Sequence, residues 1–452
     1  MRSPPDPRQE RRAALAAPGA LLHCLGALLL LPLIASAQSG AETNFFNPFS
    51  SRDPLAETGR ESDHLTGDWG GWRTKMLERG FHFQLGYIGE TMASVSGGLR
   101  RGGSYNGLVK AALEVDTERA TGGWRGGNFF ASALALHGDS LSAKRVGDAT
   151  ALSNLDAYDS VRLYELWLEQ SLWDGRVSLR AGQLLADEEF AFTEYGGLFL
   201  NSAFGWPHFI SANTVNTGPA FFATALGARL KLEPREHFYL QAGVYDGDTF
   251  DDPLGGDPRK NARGTRFHLG GDQGVFSLYE AGWKWNQGED AKGLPGNAKL
   301  GGWHHSGVPA TGAQSLHGLY LAAEQLAWRE AGDSGQGLGV FFRAGGSPSN
   351  RSNFNLTVDG GVRYQGLFPS RDNDIAGLAV AYARVSDRVR TAALAGGVTP
   401  LPDHEIVMEF DYQAQIKPWC TVQPCVQWIL HPGGSNAIAD AVIVGLRTNL
   451  TF

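Results

Sequence analysis

From Phe81 onward the chain is a succession of stretches of about ten residues in which apolar and polar positions alternate, each closed by Gly, Asp, Asn or Pro. In residues 354–364 one face carries Phe354, Leu356, Val358, Gly360, Val362 and Tyr364, and the other Asn355, Thr357, Asp359, Gly361 and Arg363. In residues 404–415, Ile406, Met408, Phe410 and Tyr412 lie opposite Glu405, Glu409, Asp411, Gln413 and Gln415. A period of two is the period of a β-strand. A two-sheet sandwich would alternate as well, with its apolar face inward and its charges outside. Length separates the two architectures: a tilted strand needs ~9–11 residues to cross hydrocarbon, whereas globular strands average ~5–6. No later window holds the ~18 uninterrupted apolar residues of a membrane-spanning helix.

The alternation predicts strands at 81–91, 106–115, 128–136, 161–172, 177–184, 220–232, 238–245 and 275–285, and at 298–304, 319–328, 338–345, 354–365, 375–385, 405–416, 422–430 and 441–452. The fold class is therefore all-β, a sixteen-stranded antiparallel transmembrane barrel over residues 81–452, with an aqueous lumen. Odd connections, the first included, tend to be long (137–160, 186–219, 246–274), while even ones such as 173–176 and 233–236 are tight, as outer-membrane barrels require. The last strand sets Val444, Leu446, Leu450 and Phe452 on one face and Ile443, Arg447, Asn449 and Thr451 on the other. A terminal aromatic in that setting resembles the signal by which the barrel-assembly machinery receives its substrates, and outer-membrane lipid is the expected surrounding.

Before the strands, Arg2, Arg8, Arg11 and Arg12 form a basic leader, residues 21–34 an apolar run interrupted by Pro32, and Ala35-Ser36-Ala37 a small-x-small cleavage pattern. Residues 1–37 thus read as a signal peptide, and export to the outer membrane of a Gram-negative bacterium follows. Loss of four Arg with Asp6 and Glu10 leaves 35 basic against 45 acidic residues, with no clustered cations for neutralising phosphate, which argues against a nucleic-acid partner. With 60 glycines in 452 residues, well above the usual ~7%, the chain is rich in strands and turns. Residues 38–64 lack a period and read as a flexible periplasmic arm, without the heptads of a coiled-coil trimerisation segment.

Residues 65–80 read as a turn and short helix that stops at Gly80. The stretch Thr66-Gly67-Asp68-Trp69-Gly70-Gly71-Trp72-Arg73 resembles the opening of the carbohydrate-selective porin family, the OprB type. Further matches are Arg180-Ala181-Gly182-Gln183, Glu189-Phe190, Asn201-Ser202 with Phe204-Gly205-Trp206-Pro207, Gln423-Pro424 with Gln427, and His431-Pro432-Gly433-Gly434. The resemblance covers nearly all of the chain from Leu65 and implies an outer-membrane channel through which sugars diffuse down their gradient.

Sugars present hydroxyls and apolar C–H faces, so a selective pore needs charged or amide groups for hydrogen bonds and aromatic rings for stacking, while binding weakly enough to release. In residues 161–170, Glu165, Trp167 and Glu169 share a face, with Tyr164, Leu166 and Leu168 on the other, and the next strand offers Arg180. The loop at 186–219 contributes Asp187, Glu188, Glu189, Glu194, Phe204 and Trp206 and is long enough to fold into the lumen. Arg180, Glu165, Glu169 and the loop acids are expected to form the constriction, with Trp167 and Trp206 as sugar platform. The competing reading makes these ordinary lumen charges paired across the wall, with Trp206 packing the loop. Asp359, Arg363, Glu409, Asp411, Lys110 and Glu114 are expected on the far side of the lumen, and Trp283, Trp285 and Trp328 at the bilayer interface.

Adjacent His304 and His305 point to opposite faces of a strand with no third ligand spaced to help, so no metal and no cofactor is expected. Neither a Gly-x-Ser-x-Gly elbow nor a phosphate-binding loop is present, which favours a channel over an enzyme. Cys420 and Cys425 are about 16 Å apart along an extended strand, too far to bridge, so either a turn aided by Pro424 lies between them or they stay unpaired. A bridged turn is the expectation, one the resemblance does not support. General diffusion without sugar selectivity, a barrel-embedded enzyme and a secreted soluble β-protein are the alternatives.

Overall fold

The computed structural model describes residues 63–452, apart from 253–256, 288–290, 292, 310–311 and 331–335, so the leader and nearly all of the 38–64 arm lie outside the described residues. Sixteen antiparallel strands pair in sequence order, and the first closes on the last. They are Phe81–Gly98 (β1), Gly102–Asp116 (β2), Gly127–Gly138 (β3), Ser160–Leu172 (β4), Val177–Leu184 (β5), Ala225–Arg235 (β6), Phe238–Asp246 (β7) and Val275–Trp285 (β8). The second half comprises Gly296–His305 (β9), Leu316–Arg329 (β10), Gly337–Gly346 (β11), Phe354–Gln365 (β12), Ile375–Val385 (β13), His404–Lys417 (β14), Cys420–Leu430 (β15) and Ala439–Thr451 (β16).

The burial pattern is inverted relative to a water-soluble fold. Phe410 is 50% exposed on the outer face, while its neighbours Glu409 and Asp411 are 1% and 0% exposed inside. Leu356, Val362, Leu378, Trp428 and Leu446 likewise face outward, opposite buried Arg343, Asp359 and Arg447. Apolar side chains satisfied by lipid and polar ones by a crowded lumen account for both faces. Trp283 and Trp328 are exposed on the outside, and the Trp285 indole donates to Gln325 at 2.7 Å.

Three expectations need correction. The first connection is short: β1 and β2 continue past the expected ends, with Met92 opposite Ser104 and Ser94 opposite Gly102. Alanine, serine and glycine at those strand ends hide the alternation that marks the other strands. β6 begins at Ala225 rather than at 220, because the segment before it belongs to the long loop. Cys420 and Cys425 are both free and both in β15, opposite Leu450 and Gly445. The turn lies ahead of them at Pro418 and Trp419, so five residues of extended chain separate the thiols and point them to opposite faces.

A short helix, Trp72–Glu78 (α1), sits beneath the closure of the barrel. Asp68 Oδ1 accepts from the backbone N–H and hydroxyl of Thr74, both at 2.9 Å, and Gly80 at φ 82° ends the segment. Buried Arg73 donates to the terminal oxygen of Phe452 at 2.8 Å, and the Phe452 N–H donates to Leu85 at 2.8 Å. The last residue of the chain is thereby tied to the first strand and to the helix.

Candidate functional site

The connection between β5 and β6, residues 185–224, folds into the lumen and reaches the opposite wall. Wall carboxylates receive its backbone. Glu409 accepts from the N–H of Leu200 at 2.7 Å and of Asn201 at 3.0 Å, Glu280 from Ala191 at 2.9 Å and Glu324 from Tyr195 at 3.0 Å. Arg343 donates to the carbonyls of Ala191, Ala203 and Gly205 while paired with Asp359 at 2.9 Å. Gln423 donates to the Leu198 carbonyl at 2.7 Å, and Gln427 bonds Asn201. Between its short helical turns (Gly196–Leu198, Ser202–Phe204, His208–Ser211 and Val215–Thr217) the loop leaves backbone groups without local partners, and these contacts satisfy them away from bulk water. Rings of the loop seat in notches left by lumen-facing glycines: a Cβ at Gly345 would come within 2.5 Å of the Phe209 ring, and one at Gly377 within 2.9 Å of Phe199.

On the near wall β4 carries a bulge, so that Tyr164 and Glu165 together oppose Ser132 of β3. Tyr164 therefore points into the lumen with Glu165 and Trp167, contrary to strict alternation. Beyond the bulge, Arg180 is bonded to Glu169 at 2.6 Å and Glu189 at 2.9 Å, and Arg229 to the same two acids at 2.9 and 2.8 Å. Trp167 is 3% exposed, with Phe130 stacked on it at 5.0 Å and the Arg180 guanidinium 3.9 Å from its ring centroid. Both partners compete for the area a sugar would use, so Trp167 is a packing element and not an open platform. The two arginines and two acids likewise saturate one another.

The open space lies beside this cluster. A cavity of about 590 Å³ is bounded by Asp187, Glu188, Trp206 and Phe221 of the loop, with Tyr164 from β4 and Lys110 from β2. Gln423, Arg447 and Asn449 face it from β15 and β16. The Trp206 indole N–H donates to the Thr217 carbonyl at 2.7 Å, which fixes the ring at the edge of the cavity. Lys110 Nζ lies 3.6 Å from Glu165, and Arg447 is paired with Glu90 at 2.6 Å and bonded to Asn154 at 2.7 Å. Asp187 accepts from the Phe221 N–H at 2.9 Å. Desolvation, with Glu165 nearby, pushes the loop acids Asp187 up to about 7 and Glu188 up to about 8.

Of the other residues singled out, Asp359 is locked to Arg343, and the Arg363 guanidinium lies 4.6 Å from the Tyr195 ring centroid. Glu114 bonds Asn128 at 2.5 Å. Glu409, Asp411 and Cys425 bring their ligand-type atoms within 4.8 Å of one another, all buried under the loop. Tyr164, Glu280, Glu324, Arg343, Gln423 and Arg447 were not marked by the sequence reading as parts of the site. Arg343 and Arg447 share the inward parity of their strands, a cue that was available; the bulge that turns Tyr164 inward left none.

The sequence pattern of the carbohydrate-selective porin family, OprB, matches residues 100–452. Porin B of Pseudomonas aeruginosa is 27% identical over 436 residues, spanning 86% of this chain and 92% of that protein. The high-pH structure of Pseudomonas putida OprB superposes with a TM-score of 0.77 at 23% identity, covering 87% of this chain and 99% of its own. The low-pH structure of the same protein gives 0.57 at 20% identity over the same shares.

Proposed function

Because the chain belongs to the OprB family of carbohydrate-selective porins, we propose that this outer-membrane porin conducts sugars passively through the cavity beside its inward loop. The observation that carries the reading is the composition of that cavity, where Trp206, Tyr164 and Phe221 stand among Lys110, Asp187, Glu188, Gln423 and Arg447. A pyranose offers C–H faces to the rings and hydroxyls to the charged and amide groups. Each contact replaces one that the sugar makes with water, so the site binds weakly and releases, as conduction requires. Trp206 takes the role of platform. Glu165, Glu169, Arg180 and Glu189 act one layer behind, holding the wall and the root of the loop, while Asp359, Arg363, Glu409 and Asp411 hold the loop from the far side.

Loss of residues 1–37 on export and delivery through the strand ending in Phe452 complete the proposal; the mass of the purified protein tests the first. The function is tested by single-channel conductance in a planar bilayer with millimolar mono- or disaccharide added to one side. Concentration-dependent block by sugar supports selective conduction, and steady conductance indifferent to every sugar favours general diffusion.

A further inference from the structure

At the end of the barrel where β13 leads into β14 and β15 leads into β16, two histidines meet. His404 opens β14 and His431 follows the last residue of β15, just beyond the Ile406–Leu430 pair. His404 Nδ1 lies 3.0 Å from Asp403 Oδ2. The carboxylate fixes the proton on that nitrogen and leaves the lone pair on Nε2. Nε2 in turn faces His431 Nδ1 at 3.2 Å, with the ring planes crossed at 80°. Two imidazole nitrogens held by one tetrahedral ion at ~2.0–2.1 Å each are separated by roughly 3.3 Å. We propose that His404 and His431 form a binding site for a divalent transition-metal ion of the zinc or copper class, completed by water.

Two further features support the site. Asp403 is the outer carboxylate that metal-bound imidazoles usually have, and its second oxygen is taken by Arg390 at 2.5 Å, which holds it in place. His431 adopts a left-handed backbone, φ 52° and ψ 60°, that non-glycine residues avoid. Its N–H donates to Asp440 at 3.0 Å, its carbonyl accepts from Gly434 at 2.8 Å, and Gly433 donates to Glu405 at 2.6 Å. The surroundings thus hold a costly conformation at the residue whose ring meets His404. The His404 side chain is 22% exposed, so an ion reaches the pair from solvent. Neutral imidazole nitrogen with water suits Zn²⁺, Cu²⁺ or Ni²⁺ rather than Ca²⁺ or Mg²⁺. A bound ion would clip together the open end of the β14–β15 hairpin, at the opposite end of the barrel from its turn at Pro418 and Trp419, which borders the sugar cavity.

The test uses the untagged barrel in detergent, stripped with a chelator and titrated with Zn²⁺ by calorimetry. One ion per chain is expected, lost in His404→Ala and in His431→Ala and weakened about 10- to 100-fold in Asp403→Asn. Zn²⁺ is also expected to raise the temperature at which the folded electrophoretic form disappears, reversibly with chelator, in the wild type and not in His404→Phe. That variant keeps an aromatic ring against Tyr382, now 5.3 Å from His404, and so separates loss of ligand from loss of packing. No Zn²⁺ binding below millimolar concentration would mean that the pair shares only a proton and overturns the proposal. Binding that persists unchanged in His404→Phe overturns it too.

Discussion

Trp167 and Trp206 sit in the same half of the lumen and differ in what surrounds them. Trp167 is held between Phe130 and Arg180, and the arginine is itself paired with two carboxylates. Trp206 is tied by its N–H to Thr217 and borders open volume together with Asp187 and Glu188. Both neighbourhoods hold indole and carboxylate, and both are polar, so residue type does not distinguish wall from pore. Access does: Trp206, Asp187 and Glu188 border the cavity, whereas Trp167, Arg180, Glu169 and Glu189 do not, so only the first set is placed to meet a sugar hydroxyl.

The strongest way to disturb this division is to release the loop that makes it. Arg343→Ala would leave Asp359 buried without its cation and free three loop carbonyls, at a cost of about 3–5 kcal/mol. The expected result is a lowered urea midpoint and a larger, noisier conductance; an unchanged midpoint would mean that the loop is held elsewhere.

A smaller effect probes the open side. With Asp187 raised to about 7 and Glu188 to about 8, both are ionised above about pH 9 and neutral below about pH 6. The charged forms are the ones lost as pH falls, so cation preference in a salt gradient should decrease severalfold between those limits. Glu188→Gln together with Asp187→Asn should flatten the profile, read from the reversal potential. A flat wild-type profile would contradict the placement of these acids at the pore.

The smallest effect concerns the two thiols. Reductant should leave electrophoretic mobility unchanged, two thiols should titrate in the denatured polypeptide of residues 38–452, and Cys420→Ser should stay within about 0.5 kcal/mol of wild type.

Much of the barrel is legible in the sequence because hydrocarbon imposes a ten-residue alternation on each crossing, and the boundaries of β5, β8, β12 and β13 match it residue for residue. The first hairpin escaped because residues such as Ala93, Ser94 and Ser96 have too little contrast to alternate. Parity put Glu165, Trp167, Glu169 and Arg180 toward one wall, but it cannot register a bulge, and one bulge turned Tyr164 inward. It also cannot see saturation, which depends on partners as distant in sequence as Leu200 and Glu409. Which groups of the lumen are locked and which border the cavity is set by such contacts.

In the proposed function the sugar path follows the open cavity and not the Arg180 cluster. Sugar block of single-channel current should be compared in the wild type, Trp206→Ala and Trp167→Ala, each first shown to be folded. The expected result is an apparent sugar affinity weakened up to about tenfold in Trp206→Ala and little changed in Trp167→Ala, whose cost is in stability, about 3–5 kcal/mol. Block lost in Trp167→Ala and retained in Trp206→Ala would contradict it.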